Sequence, residues 1–91
     1  MRESTIESYL RNQVIASGGE VRKVAWIGRR GAPDRLVLLP GRPAIYVELK
    51  APGKRPRIAQ TREHERLRAL GQWVEVIDSH EGVDQLLEQL R

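Results

Sequence analysis

The chain has 91 residues, enough for one domain, and a domain this short buries only about 60–65% of its unfolded surface, so a disulfide, a metal or a partner subunit commonly supports it. There is no cysteine, which excludes disulfides and thiolate metal sites and leaves oxygen or nitrogen ligands, or an oligomer. Sixteen basic residues against twelve acidic ones give a net charge of +4 and a pI of about 10.1, a balance that suits polyanions as well as a plain solvated surface. No apolar run reaches the ~18–20 residues of a membrane span, and the polar, charged start shows no signal peptide, so a cytoplasmic protein is expected.

Residues 3–17 predict a helix, because Ile6, Leu10 and Val14 recur every fourth position and Gly18-Gly19 ends the run. Residues 20–27 predict a strand carrying Val21, Val24, Trp26 and Ile27, followed by a loop at 28–33. Residues 34–39 and 44–50 predict an antiparallel hairpin around the turn at 40–43. A second basic loop at 51–56 leads into a helix at 57–70 that stops at Gly71. Residues 72–77 predict the last strand, which can run parallel to its predecessor through the helical crossover. Ser79 can cap a final helix whose apolar face is Val83, Leu86, Leu87 and Leu90. The order αβββαβα predicts an α/β fold with one mixed sheet flanked by helices, spanning 1–91 as a single domain.

The strand at 44–50 carries the first chemical signal. Its alternation sends Ile45, Val47 and Leu49 to a core and places Tyr46, Glu48 and Lys50 on the opposite face. That pattern also describes an ordinary cross-charged surface. Asp34 follows Pro33 where the glycine-containing loop enters the preceding strand, and the hairpin brings it near Glu48 and Lys50; a turn residue after proline is the plainer reading. On the first helix, Glu7 falls about 20° from Val14, and Glu3 falls between Leu10 and Val14, so both lie on the apolar face. A carboxylate there needs a cation or donors unless the helix start frays into water. Gln60 lies about 20° from Leu67 on the inward face of the second helix, where it can orient a water or serve as a structural amide. Two carboxylates with a nearby ammonium suit hydrolysis of phosphodiesters with Mg²⁺, which prefers oxygen ligands.

The order Glu7, Gly31-Ala32-Pro33-Asp34, Glu48-Leu49-Lys50, Gln60 resembles the VRR-NUC (virus-type replication-repair nuclease) family of the PD-(D/E)XK superfamily. The runs Arg30–Arg35 and Val47–Gly53 look close to stand-alone phage members, and the resemblance covers nearly the whole chain. It implies a PD-(D/E)XK core in which Asp34, Glu48 and the backbone carbonyl of Leu49 hold Mg²⁺ (Mn²⁺ substituting). It makes Glu7 a further ligand, Lys50 the catalytic lysine and Gln60 the helical glutamine beside them. It also implies a homodimer that cuts branched DNA, such as a Holliday junction, with no nucleotide cofactor. Glu3 stands as the alternative to Glu7.

Arg29, Arg30 and Arg35 around one loop and Lys54, Arg55 and Arg57 around the other flank the expected site and supply DNA-backbone contacts. With two tyrosines, two tryptophans and no phenylalanine, a base-stacking platform is not expected; Trp26 and Trp73 read as core. His64 reads as a partly buried structural histidine that could face the site, and His80 as solvent-facing. Glu63-His64-Glu65 lacks the second histidine of a zinc-protease motif, and 28–33 lacks the Lys-Ser/Thr ending of a phosphate loop. Two other functions fit the same chain: a non-catalytic DNA-binding domain on this fold, and a small assembly protein whose charges serve solubility.

Overall fold

The apolar spacing of the N-terminal segment winds it into α1 (Glu3–Ala16), which buries Ile6, Leu10 and Val14. Gly18, at φ 87°, turns the chain out of the helix while Gly18 and Gly19 donate their N–H groups to Ile15 and Val14, closing the helix end. The structure, a computed structural model, describes residues 1–90. After α1 come β1 (Glu20–Lys23), β2 (Arg35–Leu38), β3 (Ile45–Leu49), α2 (Ile58–Ala69), β4 (Trp73–Ile77) and α3 (His80–Gln89).

The strands form one sheet in the order β1-β2-β3-β4, with antiparallel β1–β2 and β2–β3 pairs and a parallel β3–β4 pair joined through α2. This is the mixed α/β architecture expected from the sequence. Ser79 caps α3 as expected, its Oγ accepting from the Gly82 N–H at 2.9 Å. One face of the sheet packs Val37, Ile45, Val47 and Leu49 against Ile6, Leu10 and Val14 of α1 and Val83, Leu86 and Leu87 of α3. Burial of this apolar surface favours the fold by about 25 cal/mol per Å². The opposite face lies under α2, whose buried residues are Glu63, His64 and Leu67, and it is far more polar.

The first strand is shorter than its sequence suggests. It ends at Lys23, and the last rung is the Val24 N–H bond to the Asp34 carbonyl at 3.0 Å. Beyond it the chain leaves the sheet, Ile27 is fully exposed, and the Trp26 indole N–H donates to the Pro33 carbonyl at 2.7 Å. Trp26 therefore closes a loop of its own and leans on Tyr46, with ring centroids 5.8 Å apart, rather than joining the main core. Trp73, by contrast, packs against that core. His80 is not solvent-facing: it stacks on Tyr9 at 4.2 Å, and its Nε2 is buried.

Candidate active site

The β2–β3 register pairs Arg35 with Val47. One step further along the same antiparallel ladder, Asp34 stands across from Glu48. Directly opposed positions hold their Cβ atoms about 4.5–5.5 Å apart and point to the same face. Alternation sends Arg35, Val37, Ile45 and Val47 to the α1–α3 side and Glu48 to the α2 side, with Asp34 just before β2 and Lys50 just after β3 at the end of the sheet. Glu48 is 7% exposed. Gln60 of α2 donates its Nε2–H to Glu48 Oε2 at 3.3 Å, Lys50 Nζ lies 3.7 Å from the same oxygen, and His64 Nε2 lies 3.9 Å from Oε1. Asp34 is the solvent-facing member, with a side chain 57% exposed.

Burial pushes the Glu48 carboxyl up to about 7, and the Asp34 charge adds to the rise; Lys50 opposes it, Glu3 raises it further and Arg35 lowers it. The nearby cations thus leave the buried Glu48 carboxylate under-compensated, which is the electrostatic condition that a divalent ion relieves. Among the described residues, no three His, Cys, Asp or Glu side chains gather into a metal-holding group. Asp34 and Glu48 offer carboxylate oxygens of the kind Mg²⁺ prefers, and a backbone carbonyl could add a third oxygen. Leu49 gives its side chain to the core, so its carbonyl is what it can offer. A small donor set suits an ion that retains several waters. Burial lowers the His64 pKa, helped by Arg68 and Lys50 and opposed by Glu63, so this imidazole is held toward its neutral form.

Glu7 is linked to Asp34 through Arg35, which contacts both. Its carboxylate is engaged by the guanidinium of Arg35, with Arg11 Nε 3.9 Å away, on the α1 side of the sheet. The inward glutamate found the cation it needs in an arginine, and Glu3 is the α1 carboxylate whose field reaches Glu48. Arg35 likewise departs from its expected place on a DNA surface. Its side chain is 13% exposed and bridges Glu7 to Asp34, with Nη1 2.9 Å from Asp34 Oδ2. Gln60 is a structural amide as well as a partner of Glu48, because its Oε1 also accepts from the Arg57 N–H at 2.8 Å at the start of α2.

Arg29, Arg30, Lys54, Arg55 and Arg57 are exposed as expected. Arg29 approaches the buried Glu63 at 4.0 Å; the other four form no ion pair among the described residues. Gly31, at φ 77°, presses the first loop onto α2: a Cβ there would lie 2.6 Å from the Ala59 carbonyl oxygen. This contact sets Arg30 beside Arg57 around an open cavity of about 410 Å³ that Gln60 also lines. His64, read from the sequence as a partly buried histidine able to face the site, is 1% exposed beside Glu48, while the burial of Glu63, 3% exposed, was not anticipated. Their signal was the spacing 60, 63, 64, 67, a helical stripe facing inward that is polar at all but its last position.

No family model matches the chain. It is, however, 51% identical over 81 residues to "Putative nuclease p44" of Acyrthosiphon pisum secondary endosymbiont phage 1, covering 89% of this chain and 87% of the relative. A solved VRR-NUC domain superposes with a TM-score of 0.87 at 41% identity, over 98% of this chain and 97% of that one. The chain belongs to the VRR-NUC family. It shares the family's α/β nuclease fold and has a phage-encoded relative. Among the described residues of this VRR-NUC chain, no helix is long and apolar enough to cross a membrane.

Proposed function

We infer that the chain is a Mg²⁺-dependent DNA endonuclease that selects branched DNA, four-way (Holliday) junctions foremost, and acts as a homodimer. The observation that carries this reading is the opposition of Asp34 and Glu48 at the end of β2 and β3, with Lys50 3.7 Å from Glu48 and unpaired arginines on the adjoining loops. Asp34, Glu48 and the Leu49 carbonyl would hold the metal, and Mn²⁺ would substitute for Mg²⁺. When bound, the ion polarises the scissile phosphate and acidifies an attacking water. Lys50 orients that water and offsets charge developing on the phosphate. Gln60 restrains Glu48 through its 3.3 Å bond. Arg35 fixes Asp34 through its Nη1, 2.9 Å from Asp34 Oδ2.

Arg29, Arg30, Lys54, Arg55 and Arg57 bind DNA phosphates on both sides of these groups. Trp26 and Tyr46 lean on each other and Trp73 packs on the core, so recognition proceeds through backbone shape and charge rather than stacked bases. A two-fold dimer presents two such sites to a symmetric junction.

The test is nicking of a labelled four-way junction, with plain duplex as control, in Mg²⁺, Mn²⁺, Ca²⁺ or EDTA. Cutting is expected in the first two, and binding without cutting in Ca²⁺. Asp34→Ala and Lys50→Ala are expected to abolish cutting and leave the fold intact; cutting that survives both changes refutes the assignment. Junction binding without cleavage in any metal would identify a binding-only domain. Equal cutting of duplex would remove the selectivity, and a monomer in sedimentation at micromolar concentration would remove the dimer.

A further inference from the structure

The two oxygens of the Glu48 carboxylate have different surroundings. Oε2 faces Gln60 Nε2 at 3.3 Å and Lys50 Nζ at 3.7 Å, whereas Oε1 faces His64 Nε2 at 3.9 Å. Gln60 and His64 are one helical turn apart on α2, so a single rigid element addresses both oxygens. His64 is 1% exposed, and its Nε2 is buried without a hydrogen-bond partner. A buried unmade hydrogen bond costs about 1–3 kcal/mol, so this nitrogen is unfavourable unless it is used in some state of the protein. A closing movement of about 1 Å would bring Nε2 and Oε1 to hydrogen-bonding distance. A neutral imidazole can carry its single proton on Nε2 and donate it.

We propose that His64 is a positioning residue for Glu48. Its Nε2–H donates to Oε1 while Gln60 donates to Oε2, and together they fix the carboxylate plane and direct a free lone pair toward the cation position shared with Asp34. The inference rests on reading Asp34 and Glu48 as metal ligands. It explains why an imidazole, rather than an aliphatic side chain, fills this buried site between α2 and β3. Partners of this kind, which orient a metal ligand without touching the metal, commonly change affinity by about 10–100-fold when removed.

The experiment titrates Mn²⁺ calorimetrically into the full chain without DNA, for the wild type and for His64→Leu, His64→Gln and Glu48→Gln. His64→Leu is expected to keep the metal-free melting temperature, since it removes an orphaned nitrogen at similar volume, and to weaken Mn²⁺ binding about 10–100-fold. His64→Gln, whose amide can reach Oε1, is expected to stay within about threefold of the wild type by restoring the donor. In cleavage assays His64→Leu is expected to raise the metal concentration needed for half-maximal rate while leaving junction affinity in saturating Ca²⁺ unchanged. Wild-type Mn²⁺ affinity in a folded His64→Leu overturns the positioning role alone, provided Glu48→Gln abolishes binding. Failure of the wild type to take up Mn²⁺ overturns the metal reading as well. Should His64→Leu not fold, nitrogen NMR of the wild-type imidazole decides: a proton on Nε2 supports the proposal, and a proton on Nδ1 with bare Nε2 overturns it.

Discussion

Replacing Glu48 with glutamine removes the group whose titration the fold disturbs most visibly. The folded carboxyl titrates at about 7 instead of 4.5 because it is buried opposite Asp34. It therefore binds its proton more tightly in the folded than in the unfolded chain. Its contribution to stability is fully present below pH 4.5 and is lost as the pH rises through about 7. At about 1.4 kcal/mol per pH unit of displacement, the whole effect is roughly 3 kcal/mol. Glutamine has a similar shape and cannot ionise. In metal-free buffer, Glu48→Gln should therefore gain up to roughly 3 kcal/mol on the wild type between pH 4.5 and 8, worth about 10 °C or more in melting temperature for a domain of this size. Urea denaturation of both proteins at a series of pH values measures the difference, in which other titrating groups cancel. Saturating Mg²⁺ should stabilise the wild type and leave the variant unmoved, because an ion bound only by the folded state adds to its stability. A difference that is flat across this pH range, or a variant less stable than the wild type at pH 8, would refute the account of an under-compensated Glu48.

Arg35→Met strands Glu7 and frees Asp34; the partly buried pairs predict a loss of roughly 1–3 kcal/mol, and the double variant with Glu7→Gln should recover much of it in a thermodynamic cycle. Arg30→Ala and Arg57→Ala should each weaken junction and duplex binding alike, lower the salt dependence by about one counterion, and change stability by less than about 0.5 kcal/mol, as read by titrations at several salt concentrations. Gly31→Ala places a methyl on the Ala59 carbonyl at a left-handed backbone position and should cost about 1–3 kcal/mol in thermal or urea unfolding, with the loop carrying Arg29 and Arg30 displaced.

The alternation across 44–50 was enough to assign both faces of β3, since a strand with a core on one side leaves no freedom of register. The same alternation, carried back through the hairpin, places Arg35 on the face of Val37 and therefore under α1. Reading 29–35 as one basic stretch obscured this, because proximity in sequence gives no side of a sheet. The helical wheel turned Glu7 inward correctly, but its partner lies 28 residues away, beyond any local pattern. The early end of β1 was hidden for a related reason. Val24, Trp26 and Ile27 look like strand, yet no strand lies alongside them once β2 begins at Arg35. Gln60, Glu63, His64 and Leu67 show the helical period clearly, but a mostly polar stripe reads as surface until a second polar layer is known to face it.

The unequal dressing of the two sheet faces has a dynamic corollary. α1 and α3 are anchored by a continuous hydrocarbon layer, whereas Leu67 is the buried aliphatic residue of α2. Local opening therefore begins at α2, and its amides should exchange with solvent hydrogen earlier than those of the helices on the far side. The segment that grips Glu48 is thus also the most easily loosened, so a ligand settling there would tighten the least secured part of the molecule and leave its foundation undisturbed.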